Sequence, residues 1–336
     1  MFQVRRWMAF LCFVSLLLSS SLAAGAPAET ASPTGSAKAA TPATPAPRSP
    51  RIAQASVPYS DNLTGTLSGL ARDPGGFYWS TTDGGPATPD WQVRLVKLKM
   101  SPSGVRVLEV IPVKDEQGNI VTGDKLDPED VTVAPDGTLW LVDEIYPAIV
   151  QVSREGQILR RVEAPAKYKA RVKGRGFEGA AMSPDGQTLY VILQTGLSTE
   201  ADPSHTWLLA YNVASGTFKE YPYQLDKPAD YSYPAGTSPW IGANGLAVVG
   251  QNELLVIERD NLSGEKARVK RLYQIQVPAE PTDKPLEKTL YLDLLPLGYS
   301  LEKLEGVTMA NRNSLLLIND NDGDTSIPTV IWDVER

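Results

Sequence analysis

The sequence predicts an all-β chain folded as a β-propeller of five four-stranded blades, and three observations predict it. A hairpin-like stretch recurs five times: SGLARDPGGFYWSTTD (68–83), EDVTVAPDGTLWLVDE (129–144), EGAAMSPDGQTLYVILQ (178–194), NGLAVVGQNELLVIER (244–259) and EGVTMANRNSLLLIND (305–320). Successive copies start 61, 49, 66 and 61 residues apart, a period that in strand-rich sequence marks propeller blades. Four of the copies are followed by two more strand-like runs, which completes four strands per blade. The third observation is the 27 Gly and 27 Pro among 336 residues, too many chain breakers for a mainly helical protein. Six blades is the alternative, because the longest interval holds a Pro/Tyr-rich stretch (226–241) with room for a degenerate one.

Taken in order, residues 1–26 carry Arg5 and Arg6, an apolar run from Met8 to Leu18 and the small residues Ala24-Gly25-Ala26. This is the pattern of a cleaved export signal. The strength of the apolar run favours the general secretory route over a twin-arginine one, so the protein is expected to be secreted or periplasmic. Residues 27–56 are Ala/Pro/Thr/Ser-rich with almost no large apolar residue before Ile52, and are expected to be a disordered leader. The propeller domain is assigned to 57–336. Outer strands are expected at 93–100 and 105–113, 148–154 and 157–165, 207–213 and 217–225, and 271–277 and 289–295. After the fifth copy only TVIWDV (329–334) remains, so that blade lacks a strand, and the segment Ile52 to Tyr59 is placed to supply it and close the ring.

Composition narrows the chemistry. Cys12, within the signal, is the sole cysteine, so disulfides, cysteine nucleophiles and thiolate metal sites are excluded from the exported chain. His205 is the sole histidine, assigned to a polar loop (STEADPSHT). Multi-histidine zinc sites are thereby excluded, and no G-x-S-x-G elbow, Rossmann or Walker pattern is present. Beyond the signal no apolar run approaches the roughly 20 residues of a membrane helix. Removing residues 1–26 takes away two arginines and no acid; 32 − 2 = 30 basic against 39 acidic residues leaves a formal charge of −9, which argues against nucleic acid as a partner. A small-molecule substrate and a monomer are expected.

Each copy reverses at a tight turn, such as Pro74-Gly75, Pro135-Asp136-Gly137 or Pro184-Asp185-Gly186, so its two ends return to one rim. Aligned, the copies put Ser68, Glu129, Glu178, Asn244 and Glu305 at their first position and Asp83, Glu144, Gln194, Arg259 and Asp320 at their last. Carboxylates about 4 Å apart repel by roughly 4 kcal/mol at an effective dielectric of 20, so a converging set requires protons or a cation. All-oxygen ligation without His or Cys suits Ca²⁺. Glu129, Glu144, Glu178, Glu305, Asp320 and Asp83 are the candidate metal-binding acids. Arg259 and Arg175 are the cations nearest this edge, suited to an anionic substrate group or to offsetting the ring's charge. NDNDGD (319–324) reads equally as part of a calcium loop or as an acidic turn. Trp240, Tyr231 and Tyr233 read as packing, with a pocket wall as the alternative.

The series DPEDVTVAPDGTLWLVDE, RGFEGAAMSPDGQTLYV, GANGLAVVGQNELLVIERDN and LEGVTMANRNSLLLINDND resembles the bacterial phytase-like family, described as having esterase-like activity of phytase, over nearly all of residues 60–336. The resemblance implies a secreted, calcium-associated propeller acting on phosphate esters, with Glu129, Glu144, Glu178, Glu258 and Glu305 at its site. NGLAVVGQNELLVIERD is also similar to calcium-dependent lactonase propellers, which implies Asn244 with Glu129, Glu178 and Glu305 around one metal. In either enzyme a rim carboxylate, Glu178, Glu129 or Glu305, activates water beside the metal. A third expectation is a non-catalytic binding propeller braced by calcium.

Overall fold

The computed structural model describes residues 51–57, 66–84, 90–101, 103–324 and 326–335, within the compact unit Pro47–Arg336. The expected export signal, and the expected leader as far as residue 50, lie outside the described residues. Among the described residues no helix is long and apolar enough to cross a membrane.

Strand β1 (Arg51–Ser56) precedes the first blade, β2 (Leu67–Arg72), β3 (Tyr78–Thr82), β4 (Arg94–Ser101) and β5 (Gly104–Pro112). The second blade is β6 (Pro128–Val133), β7 (Leu139–Asp143), β8 (Ala148–Val152) and β9 (Ile158–Glu163). The third comprises β10 (Phe177–Met182), β11 (Thr188–Leu193), β12 (His205–Asn212) and β13 (Thr217–Gln224), and the fourth β14 (Ile241–Gly250), β15 (Glu253–Asp260), β16 (Lys270–Gln276) and β17 (Lys288–Asp293). The last contains β18 (Leu304–Asn311), β19 (Ser314–Asn319) and β20 (Val330–Glu335), with β1 as its fourth strand. All five sheets are antiparallel, in the expected propeller arrangement.

Closure by an N-terminal strand holds: β1 pairs along β20 from Arg51↔Glu335 to Ser56↔Val330. The strand starts inside the segment expected as leader (27–56), because the open edge of β20 offers pairing to any extended chain that reaches it, whatever its hydrophobicity. The stretch 226–241 hides no sixth blade. It holds one short 3₁₀ turn, Pro228–Asp230, before β14. His205 opens β12 rather than lying in a loop, with its ring edge-on to Trp207 at 5.2 Å.

Both faces of every blade meet a neighbour, so the middle strands are apolar on both sides. In β7, Leu139 and Leu141 pack toward the first blade while Trp140 and Val142 pack toward the third. In β11, Leu189, Val191 and Leu193 face the second blade and Tyr190 and Ile192 the fourth. Period-two alternation between two cores is what makes these strands read as unbroken apolar runs.

The innermost strands β2, β6, β10, β14 and β18 line the channel, and each is irregular at the same level. Pairing skips from Pro128 to Asp130, Phe177 to Gly179, Ala243 to Gly245 and Leu304 to Gly306; in β2 it skips from Ser68 to Ala71. The skipped residues in four blades are Glu129, Glu178, Asn244 and Glu305. A β-bulge frees a residue from the ladder and re-aims its side chain, which here turns these four toward the channel mouth.

Candidate metal centre

Bulge residues and the ends of the next strands meet at this mouth. Glu129 is held on the first blade by the Ser68 hydroxyl, which donates to the Glu129 carbonyl at 2.6 Å and to its Oε2 at 3.3 Å. Carboxylate oxygens of Asp83, Asp127 and Glu129 lie within 4.8 Å of one another. Asp127 is fixed from both sides, its Oδ1 accepting the Gly84 N–H at 3.2 Å and its carbonyl the Glu144 N–H at 3.0 Å. Glu144 accepts the Gly176 N–H at 3.3 Å. Across the mouth, Asn244 donates through Nδ2 to Glu305 Oε2 at 2.8 Å, and buried Arg259 pairs with Glu305 Oε1. Lys303 places its ammonium 3.1 Å from Asp320 Oδ2 and also on Asp322.

The acids disturb one another's protonation. Burial first, then the charges of Asp320 and Asp127, pushes the Asp83 carboxyl well above the ordinary range. Burial with Asp83, Glu178 and Glu144 does the same to Glu129. Glu178 is raised by burial and then by Glu144 and Glu305, with Arg259 and Lys303 opposing. Burial, followed by Asp127, takes Glu144 up to about 6; burial takes Asp320 to about 6 against the pull of Lys303. Oxygens 4.8 Å apart bearing unit charges repel by about 3.5 kcal/mol at an effective dielectric of 20. Against the seven acids Asp83, Asp127, Glu129, Glu144, Glu178, Glu305 and Asp320 stand Lys303 and Arg259, with Arg171 acting on Glu144 and Lys270 on Glu305, so negative charge is in excess.

Two neutral acceptors point the same way. Asn244 Oδ1 and Gln194 Oε1 are buried and find no hydrogen-bond donor among the described residues, and an orphaned buried acceptor costs about 1–3 kcal/mol. Amide oxygens beside converging carboxylates are hard oxygen donors, and Ca²⁺ is the ion such a set fits. The residues present therefore fit a calcium ion.

Seven of the eight predicted metal-site residues come together: Asp83, Glu129, Glu144, Glu178, Asn244, Glu305 and Asp320. Glu258 does not. It points between blades three and four, accepting the Tyr223 hydroxyl at 2.6 Å and the Asp226 N–H at 2.8 Å, and pairing with Lys288. Neighbouring strand residues face opposite ways, so once Arg259 turns to the mouth Glu258 turns from it. Arg259 itself is committed to Glu305. Arg175 stacks over Trp240 at 4.2 Å, and Arg259 lies 5.5 Å from the same ring, so Trp240 walls the mouth. Tyr231 and Tyr233 bond instead to Asp226 and Asp260. In NDNDGD only Asp320 joins the ring; Asp324 accepts from Ser326 in an ordinary turn.

Asp127 and Lys303 lie two residues before the recurring hairpin, outside the stretch in which the copies resemble one another. Thr66, Asp127, Gly176, Gly242 and Lys303 each stand two positions before a first-position residue, and period two returns that position to the same rim.

Residues 62–323 match the model of the phytase-like family, described as esterase-like activity of phytase. The chain belongs to the phytase-like family. The family's matched segment contains every mouth residue named above. A second relative of this phytase-like chain is an uncharacterized secreted protein of Arthroderma benhamiae, 28% identical over 187 residues, 43% of this chain and 36% of that protein; the match thus spans about a third of the relative's length. Among solved structures, a glucose dehydrogenase is 12% identical (TM-score 0.43, 87% of each chain covered). A luciferin-regenerating enzyme is 10% identical (TM-score 0.43, 86% of this chain and 96% of that one). Virginiamycin B lyase from Staphylococcus aureus with quinupristin is also 10% identical (TM-score 0.37, 85% and 100%). Likeness at these scores carries no argument about function.

Proposed function

We propose that this phytase-like propeller is an exported, calcium-dependent hydrolase of small phosphate esters, working at the acidic mouth of its channel. The observation that carries the reading is the buried carboxylate ring with too few cations and two orphaned amide acceptors. Glu129, Asp83, Asp127, Asn244 and Glu305 would hold the ion, with Glu144 and Asp320 beside them; calcium bound there supplies charge neutralisation and Lewis acidity. Glu305 is tied to Arg259 and Asn244, and Glu129 to Ser68. Glu178, raised by burial and its acidic neighbours, is the carboxylate suited to take a proton from the attacking water. Arg175 meets no carboxylate within ion-pair distance among the described residues, and its guanidinium is free to grip an anionic ester oxygen. Export follows from the expected signal at 1–26 and agrees with the word "secreted" in the name of the Arthroderma relative.

A second reading, a calcium-dependent lactonase, draws support from Asn244 bonded to Glu305 at the metal position and from the scarcity of free cations for a polyanion. The experiment combines calcium calorimetry on chelator-stripped protein with phosphate release from a phosphomonoester and from phytate, and pH-stat turnover of lactones. Calcium heat with phosphate release is expected, and Glu178→Gln keeps calcium binding while turnover drops by about a hundredfold or more. Turnover of lactones alone moves the assignment to the second reading. Absence of calcium heat removes both.

A further inference from the structure

Just beyond the acidic mouth the inner strands close on the channel axis. The residue after each first-position side chain is glycine in four blades, Gly69, Gly179, Gly245 and Gly306, and aspartate in one, Asp130. The backbones touch at this level. A Cβ on Gly179 would meet the Gly245 carbonyl carbon at 2.9 Å, one on Gly245 the Glu305 carbonyl oxygen at 2.8 Å, and one on Gly306 the Gly69 carbonyl carbon at 2.7 Å. A Cβ on Gly69 would overlap the Asp130 carboxylate itself.

That carboxylate, on a residue only 2% exposed, is ringed by backbone donors. Its Oδ1 accepts the Val131 N–H and its Oδ2 the Ala180 N–H, both at 2.8 Å; burial pushes its carboxyl well above the ordinary range, and these two N–H groups with those of Leu70 and Leu246 oppose that by favouring the charged form. The donors come from four blades, and each stands two residues beyond Ser68, Glu129, Glu178 or Asn244. Val131, Ala180 and Leu246 keep their register partners Leu141, Val191 and Val256, but they lie on strands at the inner edge of their sheets, and buried donors there must find an acceptor elsewhere. On the far side lies an open cavity of about 460 Å³ lined by Leu70, Val131, Ala180, Leu246 and Val307 among others, so Asp130 also floors the mouth.

We infer that Asp130 is a tethered anion seated in a backbone anion-binding site on the channel axis, and that by clamping the inner strands it positions the carboxylates of the mouth. The positioning half rests on the calcium reading above; the anion-site half does not. Converging backbone N–H groups form anion sites in other folds, and here the chain supplies its own anion.

The test uses Asp130→Gly and Asp130→Asn in the full chain, with formate as the free carboxylate probe. In chelator, D130G melts about 5 °C or more below the parent. Sodium formate at tens of millimolar recovers part of that loss beyond the effect of matched sodium chloride, and does nothing comparable to the parent. D130N keeps the shape but turns an amide NH₂ against N–H donors, so it melts below the parent and gains nothing from formate. Parent-like melting of D130N, or a formate gain in D130G no larger than in the parent, overturns the anion site; if D130G does not fold, D130N decides alone. For positioning, D130N binds calcium at least about tenfold more weakly, and formate restores calcium affinity to D130G. Equal calcium affinity in D130N and the parent overturns that half. If the parent shows no calcium heat while the melting results hold, the calcium reading falls and the anion site stands.

Discussion

Lys303→Met should tighten calcium binding while weakening the calcium-free protein. The Lys303 ammonium sits 3.1 Å from Asp320 Oδ2 and also bonds to Asp322, with its side chain 26% exposed. Burial opposes its charge, but Asp320, Glu305 and Asp322 outweigh burial and hold it protonated. The gross attraction at that separation is about 5 kcal/mol at an effective dielectric of 20. Desolvation and screening cut the net worth to about 1–2 kcal/mol. A dication entering about 5 Å from the ammonium would be repelled by about 7 kcal/mol gross on the same scale. Retaining only a fifth of that repulsion makes a tenfold difference in affinity. The assay is calcium calorimetry on stripped protein at about 0.1 M salt, repeated at high salt, where the gain from K303M should shrink. Lys97→Met is the control, since Lys97 pairs with Glu109 on the first blade, away from the mouth. Equal or weaker calcium binding by K303M would show that Lys303 does not compete with the ion.

The remaining predictions concern pH, an inter-blade clamp and the substrate fork. Asp83, Glu129, Glu178, Glu144 and Asp320 hold protons more tightly folded than unfolded, chiefly through burial, with Glu144 and Asp320 at about 6. Their contribution is therefore fully present below about pH 4 and is lost as pH rises through 6 and beyond. Melting in chelator should fall between pH 5 and 8 and cease to fall with saturating calcium; a flat chelator profile counts against a proton-laden ring. Glu258→Gln removes one partner of the half-buried Lys288, which keeps Asp226, at a cost of about 1–3 kcal/mol, lowering the melting temperature by on the order of 5 °C. Calcium affinity should not change, and a parallel loss of it would return Glu258 to the metal site. Arg175→Ala should raise KM for an anionic ester with little change in kcat, leaving a neutral lactone unaffected; equal loss on both substrates would deny the fork its role.

The blades were legible because each one meets the same kind of neighbour, so the same hairpin had to be written five times. Closure was legible from an imbalance, the strand missing after Asp320. The start of β1 was not, since Arg51–Ser56 lies in a segment whose composition matches a leader and becomes a strand only through the partner edge of β20. At the mouth, alignment of copies found Glu129, Glu178, Asn244 and Glu305 without any knowledge of the bulges that aim them. The resemblance implies Glu258, but the strand's own alternation assigns the rim to Arg259 instead. Asp127 and Lys303 stood just outside the copies. Asp130 was invisible, because one acid beside another reads as surface charge until four N–H groups are seen around it.

The recurring pair in E-G, N-G and E-D is one device with two outputs. A bulge at the first residue throws an acid or amide outward to the mouth; the second residue then falls on the axis, where four blades place glycine among backbones that approach within 2.7–2.9 Å of a would-be Cβ and the second blade places Asp130. Bulges aim the first-position side chains at the mouth, while the inner edges of four blades turn backbone N–H groups to the axis. One aspartate accepts from the axial N–H groups, and the proposed cation would neutralise the acids. The proposed ion at the mouth and Asp130 on the axis would thus answer to neighbouring positions of one inner-strand motif. The local sequence that predicts a blade therefore predicts a charged site at its inner edge as well.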